Sequence, residues 1–121
     1  MSFPNIMVKT KNFELTETLR ETLDKRLMSL ERFLPKEEVD IICEVELEKI
    51  TERHQAGRIY RAEVNMSFGG TLLRVEAVEE TMETAIDHVK GEMKRELEKT
   101  HSRSKSLSRK GAREAKQILH P

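Results

Sequence analysis

The 121-residue sequence predicts an α+β domain of two layers, in which two helices pack on one face of a four-stranded sheet in the order β-α-β-β-β-α. In two segments, apolar residues recur every three or four positions, as on one face of a helix. In four other segments, apolar residues occupy every second position, as on one face of a strand. Two helices with one apolar stripe each can bury those stripes together with the apolar face of one sheet. A single two-layer domain is therefore expected.

The first strand and the first helix lie near the N-terminus. Ile6 and Val8 alternate with Met7 and Lys9, which predicts a short strand. Thr16 stands where a helix N-cap is expected, and leucines then recur at spacings of four, four, three and four. This apolar stripe predicts one α-helix and consists of Leu19, Leu23, Leu27, Leu30 and Leu34.

Three strands and a second helix follow. Alternation predicts strands with one buried and one wet face over residues 39–48 and 60–68. Gly69-Gly70 forms a two-residue hairpin turn, and residues 73–77 continue as the fourth strand. A second helical stripe extends through about Lys99. The stripe consists of Met82, Ala85, Ile86, Val89, Met93 and Leu97.

The formal net charge of zero hides a segregation of charge along the chain. Residues 1–99 contain 16 Lys and Arg against 21 Asp and Glu, whereas residues 100–121 contain six basic residues and only Glu114 as an acid. The C-terminal segment also alternates serine with basic residues, a composition typical of solvated chains. We expect an acidic folded domain over residues 1–99 and a basic, flexible tail over residues 100–121.

Several classes of function are not expected. No apolar run is long enough to cross a membrane, and a single cysteine without a secretory signal favours the cytoplasm. The four histidines are scattered and Cys43 has no partner cysteine, so neither a metal site nor a disulfide is predicted. Phosphate-loop and nucleophile-elbow motifs are missing from the sequence. The sequence predicts no enzyme, no cofactor and no small-molecule substrate.

The sheet face that the helices leave open is expected to be mostly acidic. Its predicted residues are Glu44, Glu46, Glu48, Arg61, Glu63, Arg74 and Glu76, which should form ion pairs across neighbouring strands. Such a face would repel phosphates. Any RNA should therefore meet the helices, the loops or the tail.

Five segments across about residues 5–100 match one family pattern in order. They are KNFELTETLR at 11–20, LERF at 30–33, EKI at 48–50 with His54, GGTLLRVEA at 69–77, and Met82 with AID at 85–87. Together they resemble the ribosome hibernation promoting factor family, also called the ribosome-associated inhibitor or sigma-54 modulation family (S30EA type). The chain resembles the short forms, which lack a C-terminal dimerisation domain.

The resemblance implies a fold and a function. Members of the family have a β-α-β-β-β-α domain, similar in arrangement to double-stranded-RNA-binding domains. They bind the small ribosomal subunit in the channel of mRNA and transfer RNA and silence idle ribosomes under stress or in stationary phase. The expected partners are the small subunit and its ribosomal RNA, and the participation of a second hibernation factor is left open.

The resemblance also suggests which residues contact RNA. Arg26, Arg95 and Lys99 match basic residues of the family pattern. The other candidates are basic neighbours on the two helices, Lys25, Arg32, Lys90 and Lys94, and tail residues, Arg103, Lys105 and Arg109. The chain departs from the pattern at Glu83, where the family usually has tyrosine, and at Ser29 and Glu92, where lysine is frequent. These departures reduce the basic character expected of the helices.

Two other functions stay open at this point. The domain could bind RNA in general without silencing ribosomes, although its acidic body argues against tight binding to free duplex RNA. It could instead be a protein-interaction module that modulates transcription, as the older sigma-54 name suggests. The tail, likewise, could be an arm that binds phosphates along RNA, a solvated end without a role in binding, or a site for a partner protein.

Overall fold

The computed structural model describes residues 5–35, 40–51 and 57–119, and for residues 101–119 it describes the backbone only. The elements in chain order are β1 (Ile6–Lys11), α1 (Glu17–Met28), a short 3₁₀ helix (Glu31–Phe33), β2 (Ile42–Lys49), β3 (Tyr60–Phe68), β4 (Thr71–Glu79) and α2 (Met82–Leu119). The predicted α+β fold with the order β-α-β-β-β-α is confirmed.

The four strands form one sheet in their chain order, β1-β2-β3-β4. β1 runs parallel to β2, and the two remaining pairs are antiparallel. A parallel pair needs a crossover connection, which α1 provides between β1 and β2. A row of four valines, Val8, Val45, Val64 and Val75, crosses all four strands in register on the face that the helices cover. β1 and β4 are the two edges of the sheet.

The leucine stripe of α1 is buried as predicted, and it continues beyond the helix. Thr16 caps the N-terminus, because its Oγ1 accepts a hydrogen bond from the Leu19 N–H at 3.2 Å. α1 ends at Met28, and the 3₁₀ helix then carries the chain onward. Leu30 and Leu34 flank this 3₁₀ helix and are both buried. The stripe therefore spans two helical segments rather than one.

The β3–β4 hairpin also follows the prediction. Gly69 and Gly70 have φ angles of 51° and 81°, the left-handed values that a type I′ turn requires and that glycine adopts without strain. Phe68 and Thr71 pair directly on either side of this turn. The turn thereby sets the register of the whole hairpin.

Cys43 packs in the core of the sheet. It is fully buried on β2, and burial, helped by the nearby charge of Glu44, raises the pKa of its thiol to about 12. A thiol that stays protonated at neutral pH is a weak nucleophile. The prediction that Cys43 is a small core residue is confirmed.

The predicted end of α2 near Lys99 is wrong. The helix continues to Leu119, twenty residues beyond the predicted end near Lys99. No proline interrupts residues 82–119, and the segment beyond Lys99 contains three Arg, three Lys and two Ala, which favour helix. The serine pattern was therefore a poor guide to the backbone. That residues 100–121 form a flexible unit separate from the domain stays a prediction.

The second strand also differs slightly from the expectation. β2 begins at Ile42, while Ile41 packs against the core outside the strand. The predicted start at Val39 lies outside the described residues.

Candidate nucleic-acid interface

The polar surface of the two helices follows from the way their apolar stripes pack. Leu23 and Leu27 of α1 and Val89 and Met93 of α2 are fully buried. Because helical neighbours three or four positions apart share a face, the residues between the stripe positions face solvent. Lys25 is one such exposed residue. The helices thus present most of the predicted cations on the side of the molecule opposite the open sheet face.

Arg26 and Asp87 tie α1 to α2. Arg26 Nε donates a hydrogen bond to Asp87 Oδ1 at 2.5 Å, and both side chains are about half exposed. The carboxylate offsets the charge of the guanidinium at this point. Arg26 is therefore a link between the helices, and a phosphate would have to compete with Asp87 for it.

Phe33 brings cations of the two helical segments together. The guanidinium carbon of Arg32 lies 4.7 Å from the centroid of the Phe33 ring, and Lys94 Nζ lies 5.4 Å from it. Both distances are within the range of cation–π attraction. Phe33 itself is half-buried and packs against the core. Its ring therefore holds two positive charges at the junction of α2 and the 3₁₀ helix.

Three cations of this surface are not neutralised by neighbouring acids. Among the side chains that the structure describes, no carboxylate oxygen lies within 4.0 Å of Lys25, Arg32 or Lys90, whereas Lys94 lies 4.0 Å from Glu98. We call Lys25, Arg32, Lys90 and Lys94 the helix cation group. Arg32 and Lys25 are exposed, and Lys90 and Lys94 are half-buried. These four residues are candidates for phosphate contact on the helix side of the domain.

Arg95 and Lys99 lie on another side of α2. Arg95 Nη1 donates to Glu92 at 2.6 Å, and Glu92 also lies 3.6 Å from His88. His88 in turn is 2.9 Å from Glu79 of β4, which places this row on the β4 side of the helix. Lys99 Nζ lies 3.7 Å from Glu96. The two family-matched residues of α2 are thus paired with acids and separate from the helix cation group.

The opposite sheet face is organised around Arg61. Its Nη1 atom donates to Glu46 at 2.9 Å and lies 3.5 Å from Glu48, while Nη2 contacts Glu63 and lies 3.2 Å from Glu76. These contacts join β2, β3 and β4, so the predicted cross-strand ion pairs are confirmed. One guanidinium serves four carboxylates. Among the described strand residues, this face carries five acids, Glu44 included, against four cations, Arg61, Arg74, Lys9 and Lys11, so it keeps a small excess of negative charge.

Glu63 is the buried centre of this network. It is only 8% exposed, and its Oε1 atom accepts from Asn65 at 2.9 Å and lies 3.2 Å from Arg74 Nε. Burial alone would lower the pKa of Arg61, but hydrogen bonds and attraction from Glu76, Glu46 and Glu63 outweigh it and raise that pKa. Arg61 is therefore locked in its charged form. A phosphate would have to displace carboxylates to bind here.

One further basic residue of α1 has a structural role, and three predicted contact residues lie outside the described side chains. Arg20, on the polar face of α1, donates to the Ile6 carbonyl at 3.0 Å and to Asp24 at 3.1 Å, so it fastens α1 to β1. The side chains of Arg103, Lys105 and Arg109 are not among those described. That these three residues contact RNA stays a prediction.

Two further observations concern the described residues alone. No helix among them is both long and apolar enough to cross a bilayer. No three of their histidine, cysteine, aspartate or glutamate side chains are grouped so that they could hold a metal ion.

Sequence reasoning missed two residues that shape this surface. Asp87 lies 61 positions from Arg26, and nothing in the sequence links the two. Phe33 appeared only as part of a family motif, although an aromatic residue next to Arg32 is a usable indication of cation–π contact.

Comparison with known proteins gives a family and two related structures. The family model described as sigma 54 modulation protein / S30EA ribosomal protein matches residues 6–105. The Protein Y N-terminal domain of Thermus thermophilus is 22% identical with a TM-score of 0.63, and the match covers 80% of this chain and 97% of that one. A ribosomal subunit interface protein from Coxiella burnetii is 16% identical with the same TM-score and coverages. A search of curated proteins finds no match. At these identities the two structures show a shared fold.

Proposed function

Because the chain belongs to the sigma 54 modulation protein / S30EA ribosomal protein family, we propose that it is a ribosome-associated translation inhibitor that binds the small subunit. The proposed site is the channel that mRNA and transfer RNA normally occupy. The family match over residues 6–105 carries this proposal. The shared fold with a protein described as a ribosomal subunit interface protein supports it.

The proposed mechanism is occupancy, which needs no catalytic group. A folded domain in the channel excludes mRNA and transfer RNA sterically. Translating ribosomes already hold those ligands, so the protein would bind only idle ribosomes. This selectivity fits a role in the cytoplasm under stress or in stationary phase, when idle ribosomes accumulate. The same logic allows a second hibernation factor to act on the silenced particle.

The helix cation group is the proposed centre of contact with ribosomal RNA. Its cations lie on α1, the 3₁₀ helix and α2, opposite the acidic sheet face. Contacts from Lys and Arg to phosphates supply affinity without reading sequence. Three other cations would contact phosphates only if they broke their ion pairs with neighbouring acids. These pairs are Arg26 with Asp87, Arg95 with Glu92, and Lys99 with Glu96. We therefore expect their contributions to be smaller than those of the helix cation group.

The extension of α2 is the proposed second contact. Residues 100–119 continue the helix and add roughly 30 Å at 1.5 Å per residue. This segment carries Arg103, Lys105 and Arg109 among its six basic residues. A basic helical arm could follow RNA beyond the reach of the folded domain.

Cosedimentation tests the proposed function. Mixed with purified, idle small subunits at low salt, the protein should pellet with them, and binding should fall steeply as salt rises because phosphate contacts release counterions. An excess of mRNA and transfer RNA added beforehand should keep the protein in the supernatant. If it stays in the supernatant with empty subunits, the proposal fails. If free duplex RNA competes as well as subunits do, general RNA binding is the better account.

Truncation after Thr100 tests the arm. Loss of six cations and one acid should weaken binding to the small subunit about tenfold and reduce the slope of affinity against salt. A second variant keeps the full length of the chain and replaces Arg103, Lys105 and Arg109 with glutamine. Comparison with the truncated chain separates the effect of charge from the effect of length. Equal affinity of all three proteins would remove the arm from the proposed site.

A further inference from the structure

β4 has an open edge. It pairs with β3 on one side and has no strand on the other within the described residues. Its nine residues, Thr71–Glu79, contain neither proline nor glycine. An edge strand of this length usually contains a feature that prevents further pairing, such as a proline or a bulge, or it pairs with another strand.

The hairpin geometry determines which backbone groups face that edge. Phe68 and Thr71 flank a two-residue turn, so they exchange hydrogen bonds with each other, and every second residue of β4 after Thr71 also bonds to β3. The N–H and C=O groups of the alternate residues then point away from the sheet. These residues are Leu72, Arg74, Glu76 and Val78.

The side chains of these four residues lie on the open sheet face and are arranged symmetrically about Val75. Arg74 and Glu76, of opposite charge, flank the centre, and apolar Leu72 and Val78 lie outside them. Leu72 is 69% exposed, an unusual value for a leucine in a strand. Arg74 and Glu76 are exposed as well, with side-chain exposures of 69% and 50%. Each also has a contact within its own sheet, Arg74 Nε with Glu63 at 3.2 Å and Glu76 with Arg61 at 3.2 Å, so a contact across the edge would be shared with these.

We propose that two copies of this chain pair through β4 as antiparallel strands centred on Val75, forming one continuous eight-stranded sheet. In this register Arg74 lies opposite the partner's Glu76. By two-fold symmetry, Glu76 lies opposite the partner's Arg74, so the dimer contains two such pairs. Leu72 lies opposite the partner's Val78, so exposed apolar surface is covered. Opposite charges directly across a strand pair are favourable.

The neighbouring registers are disfavoured by charge. Shifting the centre to Arg74 places it opposite the partner's Arg74, and shifting the centre to Glu76 places two glutamates opposite each other. Sliding one strand past the other by a single residue would place the edge-facing backbone groups of one copy opposite residues of the other copy whose backbone groups already bond to β3. Of the registers that use the middle of the strand, only the one centred on Val75 pairs unlike charges.

The other sheet edge lacks this symmetry. β1 carries Lys9 and Lys11 on the open face, opposite Glu46 and Glu48 of β2. Two copies of β1 paired in registers centred on Lys9 or Thr10 would set lysines opposite each other, and like charges across a strand pair are destabilising. In the register centred on Val8, Lys9 would lie opposite Met7, so no pair of unlike charges would form. Self-association is therefore expected at β4 and not at β1.

Sedimentation equilibrium of the full chain over a range of concentrations tests the proposal, which does not depend on ribosome binding. The wild type should show a reversible monomer–dimer equilibrium. Glu76→Arg sets like charges opposite each other twice across the symmetry axis and should raise the dimer dissociation constant about tenfold or more. The double variant Arg74→Glu with Glu76→Arg restores unlike pairs across the axis, so it should dimerise more tightly than Glu76→Arg alone. Recovery should be partial, because the exchange also removes the contacts of Arg74 with Glu63 and of Glu76 with Arg61.

The control is Glu44→Arg, which makes the same charge change on the same sheet face but on β2, away from the edge. It should leave the dissociation constant unchanged, and circular dichroism should show that all variants are folded. A wild type that is monomeric up to millimolar concentration would overturn the proposal. So would a dimer that Glu76→Arg leaves intact, a folded double variant that dimerises no more tightly than Glu76→Arg alone, or assemblies that grow beyond two copies.

Discussion

Replacing Lys25, Arg32 and Lys90 with glutamine should weaken binding to the small ribosomal subunit roughly a hundredfold. None of the three has a carboxylate within 4.0 Å among the described side chains, so their charges are available to phosphates. The slope of log affinity against log salt should fall by about one for each cation removed. Filter binding to purified small subunits at several salt concentrations measures both quantities.

The control removes the same number of charges from the opposite face, with Lys9, Lys11 and Arg74 replaced by glutamine. The net charge of the two variants is equal, so any general attraction between protein and RNA falls equally in both. We expect the control to lose less than about threefold in affinity, because only long-range attraction is reduced. Equal losses in the two variants would contradict the assignment of RNA contact to the helices.

Arg61→Met should destabilise the domain by about 3 kcal/mol. The Arg61 side chain is only 16% exposed and is the shared partner of four carboxylates on three strands. Methionine keeps most of the aliphatic stem but leaves the buried Glu63 carboxylate with much less compensation. Urea denaturation followed by circular dichroism gives the change in free energy of unfolding.

Two further variants show whether the loss of stability comes from the buried ion network or only from the removal of a positive charge. Arg74→Met removes a cation that is 69% exposed and should cost less than about 1 kcal/mol. Adding Glu63→Gln to Arg61→Met removes the stranded carboxylate and should recover part of the lost stability. If Arg61→Met is as stable as the wild type, the ion network contributes nothing to holding β2, β3 and β4 together.

The sheet and the core could be predicted because short-range patterns determine them. The alternation in β3, the two glycines of its turn and the leucines of α1 each specify a local geometry, and the three fit one buried face. The end of α2 was missed because serine and lysine occur both in solvated chains and in helices. Composition alone could not separate these states over residues 100–119.

The candidate site was less predictable, because it depends on contacts between distant parts of the chain. The sequence provides the cations, but whether a cation is neutralised depends on which acid the fold brings beside it. Arg26 meets Asp87 across the two helices, whereas Lys25, one residue earlier, meets no acid among the described side chains. Periodicity places both on the polar surface and cannot tell them apart.

A cryo-electron microscopy structure of the protein on an idle small subunit tests the central claim most directly. The account predicts density in the channel of mRNA and transfer RNA, with α1 and α2 against ribosomal RNA and Lys25, Arg32 and Lys90 within reach of phosphates. The acidic face around Arg61 should point away from RNA. Density outside the channel, or RNA packed against the Arg61 face, would contradict the account.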